Sequence, residues 1–212
     1  MALLNLATQA QPSAPSSGLV SLYYDIVTKL FSSVNDAGVR QTVPFQIFNQ
    51  SVAVQTGFAA DTYLTGSQIG IPSGLPRVAT LYRCQFDIVK TAAGVAAAVL
   101  TLRIGTAGTT ADAARNVFTF AAQTAAVDAG TLDVVALFRT VGSGASAVLQ
   151  GTAQIRHNNA ATGLTTVNAD TQIVTSAGFD STVAGSIIGL SVNGGAAAAW
   201  TIQLVNSELR AI

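Results

Sequence analysis

Charge is the scarcest property of this sequence. Only 9% of its 212 residues are charged, with ten basic and ten acidic side chains, so the formal net charge is zero. Protein surfaces that stay soluble through charge are typically about 25–35% charged. The sequence also lacks any run of Lys or Arg that would neutralise phosphates. These absences argue against a nucleic-acid or anionic-membrane partner, and they indicate a surface that is partly covered by other subunits.

Cysteine, histidine and glutamate each occur once, and the nine aspartates are scattered beside turn residues. The lone Cys84 excludes an intrachain disulfide, and its inward position in an alternating strand predicts a buried, inert thiol. His157 follows a strand without a nucleophile-elbow pattern, so we expect a polar loop histidine with no catalytic role. Neither a glycosidase carboxylate pair nor a calcium-loop motif is present. We therefore expect no catalytic residue, no metal ligand and no cofactor.

Long hydrophobic runs are also missing, although 50% of the residues are apolar. Alanine supplies much of that fraction, and polar or turn residues interrupt each run before it reaches the about 20 residues of a membrane-spanning helix. The first residues, MALLNLATQAQPSAPSS, have no basic start and only a short apolar patch. We expect no transmembrane helix and no export through a secretion signal.

Alternating apolar and polar residues are what the sequence does contain. In 82-YRCQFDI-88 every second residue is apolar, the period of a strand with one buried face. Only 109–116 has a helical composition, so we expect antiparallel sheets and an all-β, jelly-roll-like β-sandwich with Phe86, Phe118, Phe138 and Trp200 in its core. The predicted strands recur along the chain at 45–54, 62–71, 79–90, 98–105, 116–121, 131–141, 147–156, 171–176, 186–193 and 199–209.

The N-terminal part has a different composition from the rest. Residues 1–17 end in a Pro/Ser/Ala segment that predicts an extended arm, and 18–43 contains short apolar runs separated by turn residues, which predicts a β-hairpin or meander. We therefore divide the chain into an arm and hairpin, 1–44, and a β-sandwich, 45–212. An arm with so few large apolar groups cannot fold alone. We expect the arm and hairpin to bind a partner through Leu3, Leu4, Leu6, Leu19, Leu22 and Leu30.

One family resemblance adds to this. The segment 19-LVSLYYDIVTKLFSSVNDAG-38 resembles the LY-x-D, KL-x-S, ND-x-G hairpin found near the start of structural proteins of tailed bacteriophages. The segments 63-YLTGSQIGIPSG-74, YRCQFDIVKTAAG, LTLRIGTAGTTADAARNVFTF and WTIQLVNSEL are similar to β-sandwich domains of phage virion proteins. One departure is Val34, at a position where similar hairpins often have Lys.

The resemblance implies a non-enzymatic virion structural protein, assembled in the host cytoplasm. The expected role is a capsid decoration or cement protein, a homotrimer that binds the major capsid protein or neighbouring virion proteins. Two alternatives remain open. One is a tail fibre or baseplate component. The other is a carbohydrate-binding host-recognition module, in which Tyr23 with Tyr24, or Tyr63 with Tyr82, would form the sugar platform. Replacement of Tyr63 or Trp200 would then weaken glycan binding.

Overall fold

The computed structural model describes residues 8–25, 31–42, 45–72, 74–159, 161–167 and 170–211. These residues contain fifteen β-strands and no helix, which confirms the predicted all-β class. Within this part of the chain there is thus no helix of the length and hydrophobicity needed to cross a membrane. The described residues form two compact units, a smaller one within Met1–Gln46 and Arg210–Ile212 and a larger one within Ile47–Leu209.

The smaller unit contains one sheet of short strands. Its strand order follows the chain, with β1 parallel to β2 and the other neighbours antiparallel. The predicted hairpin or meander is therefore a three-stranded antiparallel meander to which one further strand has been added. The strands are β1 (Thr8–Gln9), β2 (Val20–Asp25), β3 (Phe31–Asn35) and β4 (Arg40–Thr42).

The N-D-x-G residues of the resemblance make the turn between β3 and β4. Asn35 Oδ1 accepts a hydrogen bond from the Val39 N–H at 2.7 Å, and Asn35 O accepts one from the Gly38 N–H at 2.9 Å. Gly38 has a φ of +77°, a conformation that favours glycine. Asp36 accepts a hydrogen bond from the Gly18 N–H at 2.7 Å, which fixes the start of β2 to this turn.

The remaining strands form two larger sheets. They are β5 (Phe45–Ser51), β6 (Thr62–Tyr63), β7 (Ile69–Gly70), β8 (Leu81–Lys90), β9 (Val99–Gly105), β10 (Ala113–Thr119), β11 (Asp128–Thr140), β12 (Val148–His157), β13 (Asp170–Thr175), β14 (Ile187–Asn193) and β15 (Trp200–Ala211). A six-stranded sheet has the order β13-β12-β11-β8-β15-β5. A five-stranded sheet has the order β10-β9-β14-β6, with β7 also paired to β14.

The strand order of these sheets is that of a jelly roll. The chain alternates between the two sheets. The six-stranded sheet receives β5, β8, β11 and β15, and between them the chain passes through the other sheet as β6 with β7, β9 with β10, and β14. The resulting orders β5-β15-β8-β11 and β6-β14-β9-β10 are the two four-stranded halves of a double Greek key. The hairpin β12–β13 widens the first half on the side of β11. The prediction of a jelly-roll-like sandwich is confirmed.

The core lies between the two sheets and contains apolar side chains from both. Phe86, Phe118, Phe138 and Trp200 each have 0% of their surface exposed, which confirms the predicted core. Cys84 is buried among them, and burial raises the pKa of its thiol to about 12. A thiol with so high a pKa forms little thiolate, in agreement with the predicted inert cysteine.

The predicted helix at 109–116 is wrong. Residues 109–112 form a turn, and β10 begins at Ala113. The Asp112 carboxylate accepts hydrogen bonds from the Ala107 N–H at 3.0 Å and the Gly108 N–H at 2.7 Å, so it closes the connection from β9. The alanine-rich composition favours a helix only weakly, and pairing of β10 with β9 outweighs that local preference.

Candidate functional site

The predicted partner-binding residues are only partly within the described structure. Leu3, Leu4, Leu6 and Leu30 lie outside the described residues. Leu19 and Leu22 are 59% and 72% exposed, and Val20 between them is 62% exposed. We refer to Leu19, Val20 and Leu22 as the N-terminal patch. Three large apolar side chains with this exposure within four residues, in so small a sheet, mark a candidate contact surface.

The alternation of β2 explains why the patch is exposed. Tyr23 is 1% exposed, and it pairs with the buried Ser32 of β3. Leu22 pairs with Ser33, so both lie on the other face of the sheet. The sheet therefore buries the face that contains Tyr23 and leaves Leu22 in contact with solvent.

A groove on the outer face of the six-stranded sheet is the second candidate site. It has a volume of about 340 Å³, within the range of small-molecule sites. The side chains of β8 that line it lie on the face opposite the buried Cys84. Three strands supply the lining: Phe48, Asn49 and Gln50 from β5, Arg83 and Gln85 from β8, and Asn206, Ser207 and Glu208 from β15.

Hydrogen bonds fix several of the side chains that line this groove. Arg83 Nε and Nη2 donate to the two carboxylate oxygens of Asp133 at 3.0 and 2.7 Å. This hydrogen bonding, followed by the charge of Asp133, raises the pKa of Arg83. On the floor, Ser207 Oγ lies 2.7 Å from Gly66 O, and Asn49 Nδ2 donates to Gln68 O at 2.7 Å. The groove is therefore preorganised rather than assembled by a ligand.

Phe48 is the side chain of this groove that the sequence analysis missed. It is 67% exposed, whereas of the tyrosines considered for sugar binding Tyr23 and Tyr82 are buried and Tyr63 is half-buried. Trp200 is buried and its indole N–H donates to Gln123 Oε1 at 2.8 Å. Tyr63 lies across Gly189, where an added Cβ would overlap its ring. Burial, followed by the nearby Asp112 charge, raises the pKa of Tyr63 to about 12.

One signal in the sequence pointed to Phe48. In β5 the alternate positions Gln46, Phe48 and Gln50 lie on one face, and all three are exposed. An aromatic residue between two glutamines on one strand face predicts that this face, including the aromatic ring, is exposed to solvent.

The prediction of a polar loop histidine is wrong for His157. It is the last residue of β12, and its side chain is only 1% exposed. Nδ1 lies 2.8 Å from Asp128 Oδ2, and Nε2 lies 3.3 Å from Val167 O. The pair therefore joins the end of β12 to the start of β11, and Nε2 reaches the loop that follows β12. No nucleophilic side chain among the described partners of His157 completes a catalytic triad.

Asp128 is the acceptor at the centre of this buried cluster. Its carboxylate accepts hydrogen bonds from the Leu164 N–H at 2.9 Å and the Ala129 N–H at 2.8 Å, in addition to the contact with His157. Burial alone would raise the pKa of Asp128, but these hydrogen bonds outweigh burial, and the pKa lies below its usual 3.8. Asp128 is thus a charged anchor for the loop at 161–167.

Lys90 is a second buried charge at this end of the sandwich, with 0% of its surface exposed. Burial lowers its pKa. Its ammonium group lies 2.8–3.4 Å from four backbone carbonyl oxygens, which belong to Thr91, Ala93, Thr124 and Ala126. The arrangement ties the loop after β8 to the loop before β11. Among the described residues, no group of three His, Cys, Asp or Glu side chains is placed to hold a metal ion.

Comparison with known proteins gives no assignment for these sites. No protein-family model matches the chain, and no curated protein matches it either.

Proposed function

We propose that this chain is a non-enzymatic virion structural protein of a tailed bacteriophage, and that it decorates the capsid by binding the major capsid protein. The observation that carries the proposal is the N-terminal patch, Leu19, Val20 and Leu22, which is exposed on the sheet of the smaller unit. Jelly rolls recur in viral capsid domains. The resemblance of residues 19–38 to phage hairpins supports the same role.

The patch is large enough to contribute to attachment. Full burial of a Val or Leu side chain stabilises a complex by about 1.5–3 kcal/mol. Since each of the three is about two-thirds exposed, burying what remains would contribute about 3–6 kcal/mol for each subunit. We propose a homotrimer, in which three such contacts act together and raise the overall affinity without any new contact.

The scarcity of charge fits a surface that faces neighbouring proteins. Interfaces are depleted in charged side chains at their centre, and only 9% of this sequence is charged. The two prominent ion pairs of the described surface, Arg83 with Asp133 and Arg103 with Asp61, are formed within the subunit. Such a surface has little charge to direct it to nucleic acid or anionic lipid.

The test is attachment of patch variants to phage particles that lack the protein. Leu19→Ser with Leu22→Ser should leave the melting temperature within a few degrees of wild type, since both side chains are already exposed. The same double variant should lose most of its occupancy, measured by quantitative mass spectrometry of purified particles. The matched control is Val52→Ser, a 78% exposed valine of the larger unit, which should bind as wild type.

Two results would count against this role. Occupancy of the patch variant equal to that of wild type would exclude the patch as the attachment surface. A copy number that is small and fixed, instead of proportional to the capsid lattice, would favour the alternative of a tail fibre or baseplate component.

A further inference from the structure

We propose that the groove between β5, β8 and β15 binds a neutral saccharide. This goes beyond capsid attachment, because it assigns a ligand class to a surface other than the N-terminal patch. The groove contains the combination that sugar recognition requires: one exposed aromatic ring beside planar polar side chains that both donate and accept hydrogen bonds. The ring is Phe48, and the amides are Gln50, Gln85 and Asn206.

Phe48 supplies the apolar part of the site. A pyranose has one face of C–H groups, which packs well on an aromatic ring. Phe48 is 67% exposed at the groove, so its ring is not part of the core. Its neighbours on the same strand face, Gln46 and Gln50, are also exposed, so polar side chains flank the ring on both sides along β5. Such surroundings suit a ligand with hydroxyl groups at its edge better than an apolar protein surface.

The polar part of the site is held in place before any ligand binds. Asp133 fixes the Arg83 guanidinium through two hydrogen bonds, and an arginine has five N–H donors, so the group can serve Asp133 and a hydroxyl ligand together. Ser207 and Asn49 bond to the backbone beneath the groove. Fixed donors and acceptors reduce the entropy that binding would cost.

The charges around the groove favour a neutral ligand. Arg83 is the positive group in its lining, and two carboxylates, Asp133 and Glu208, act on it, since both raise the pKa of Arg83. The one positive group of the lining is thus already paired with a carboxylate, which disfavours phosphate, sulfate and uronic acids. A second groove of about 450 Å³ over Asp87, Thr131 and Arg156 has no Phe, Tyr or Trp in its lining, and we assign it no ligand.

The experiment uses the full-length protein on an array of neutral malto-, cello-, manno- and chito-oligosaccharides, with heparin and polygalacturonate as anionic probes. We expect binding to at least one neutral series and none to the anionic probes. Titration calorimetry with the bound oligosaccharide should then show about a tenfold weaker affinity for Phe48→Ala, the loss expected when a stacked ring is removed. Gln85→Ala should also weaken it. The control Ile173→Ala, a 66% exposed residue of β13 outside the groove, should bind as wild type.

Melting temperatures of all variants separate loss of binding from loss of folding. The proposal is overturned if no neutral oligosaccharide binds, or if one binds with equal affinity to wild type and Phe48→Ala. It is also overturned if light scattering shows that Phe48→Ala dissociates an oligomer, because the groove would then be a subunit interface. Failure here leaves capsid attachment through the N-terminal patch untouched, and failure of attachment leaves sugar binding to be judged on this experiment.

Discussion

Replacing Phe138 by alanine tests the strand register of the sandwich most directly. Phe138 is fully buried, its ring centroid lies 6.2 Å from that of Phe179, and its strand pairs it with Leu149 across β12. Truncating a buried Phe leaves a cavity and typically costs about 3–5 kcal/mol. For a domain of this size about 1 kcal/mol lowers the melting temperature by about 2–4 °C, so we expect a fall of about 6–20 °C for Phe138→Ala.

The matched control is Phe48→Ala, which removes the same atoms from a ring that is 67% exposed. We expect it to cost less than about 1 kcal/mol, as is usual for surface positions. Urea denaturation followed by far-ultraviolet circular dichroism gives both free energies of unfolding with one assay. Equal costs for the two variants would show that Phe138 is not in the core, and the register of β11 would then be wrong.

Two further predictions concern the buried charge and the arm. Because the pKa of Asp128 lies below 3.8 in the folded state, its carboxylate stabilises the fold above that pH and ceases to do so as the pH falls through the folded pKa. Asp128→Asn should therefore lower the free energy of unfolding at pH 7 by about 1.5–3 kcal/mol, the value of one hydrogen bond to a charged group. On acidification the variant should lose less stability than wild type. An equal loss of unfolding free energy in both proteins between pH 7 and pH 2 would refute this. Deleting residues 1–17 should leave the melting temperature of the sandwich unchanged and sharply reduce occupancy on phage particles, and undiminished occupancy would rule out the arm as an anchor.

The sequence was sufficient for the long strands that have one buried face, whereas the strand predicted at 62–71 is wrong, because that segment contains two strands of two residues each, β6 and β7. Period-two alternation placed segments such as 79–90 and 131–141 close to the observed β8 and β11, and it identified Phe86 and Phe138 as core residues. The order of strands in the sheets depends on pairing between distant segments, such as β5 with β15. No local pattern encodes that pairing.

The candidate site was less accessible to sequence reasoning. Trp200 has Ala198 and Ile202 at the alternate positions and packs between the sheets, whereas Phe48 has Gln46 and Gln50 there and is exposed at the groove. Which of the two rings faces solvent is decided by the strands that cover it. His157 was misjudged for the same reason, because its partner Asp128 lies on a different strand and only the fold brings them together.

The enclosure of Lys90 has a practical consequence for chemical labelling. The chain has two lysines, Lys29 and Lys90. In the native state the ammonium group of Lys90 is buried and donates hydrogen bonds to backbone carbonyls. Acylating reagents therefore cannot reach it, and the protonated nitrogen has no lone pair with which to attack them. Modification of Lys90 therefore requires the loops after β8 and before β11 to separate. The rate of its acylation, read by peptide mass spectrometry, reports how often that end of the sandwich opens, without any engineered probe.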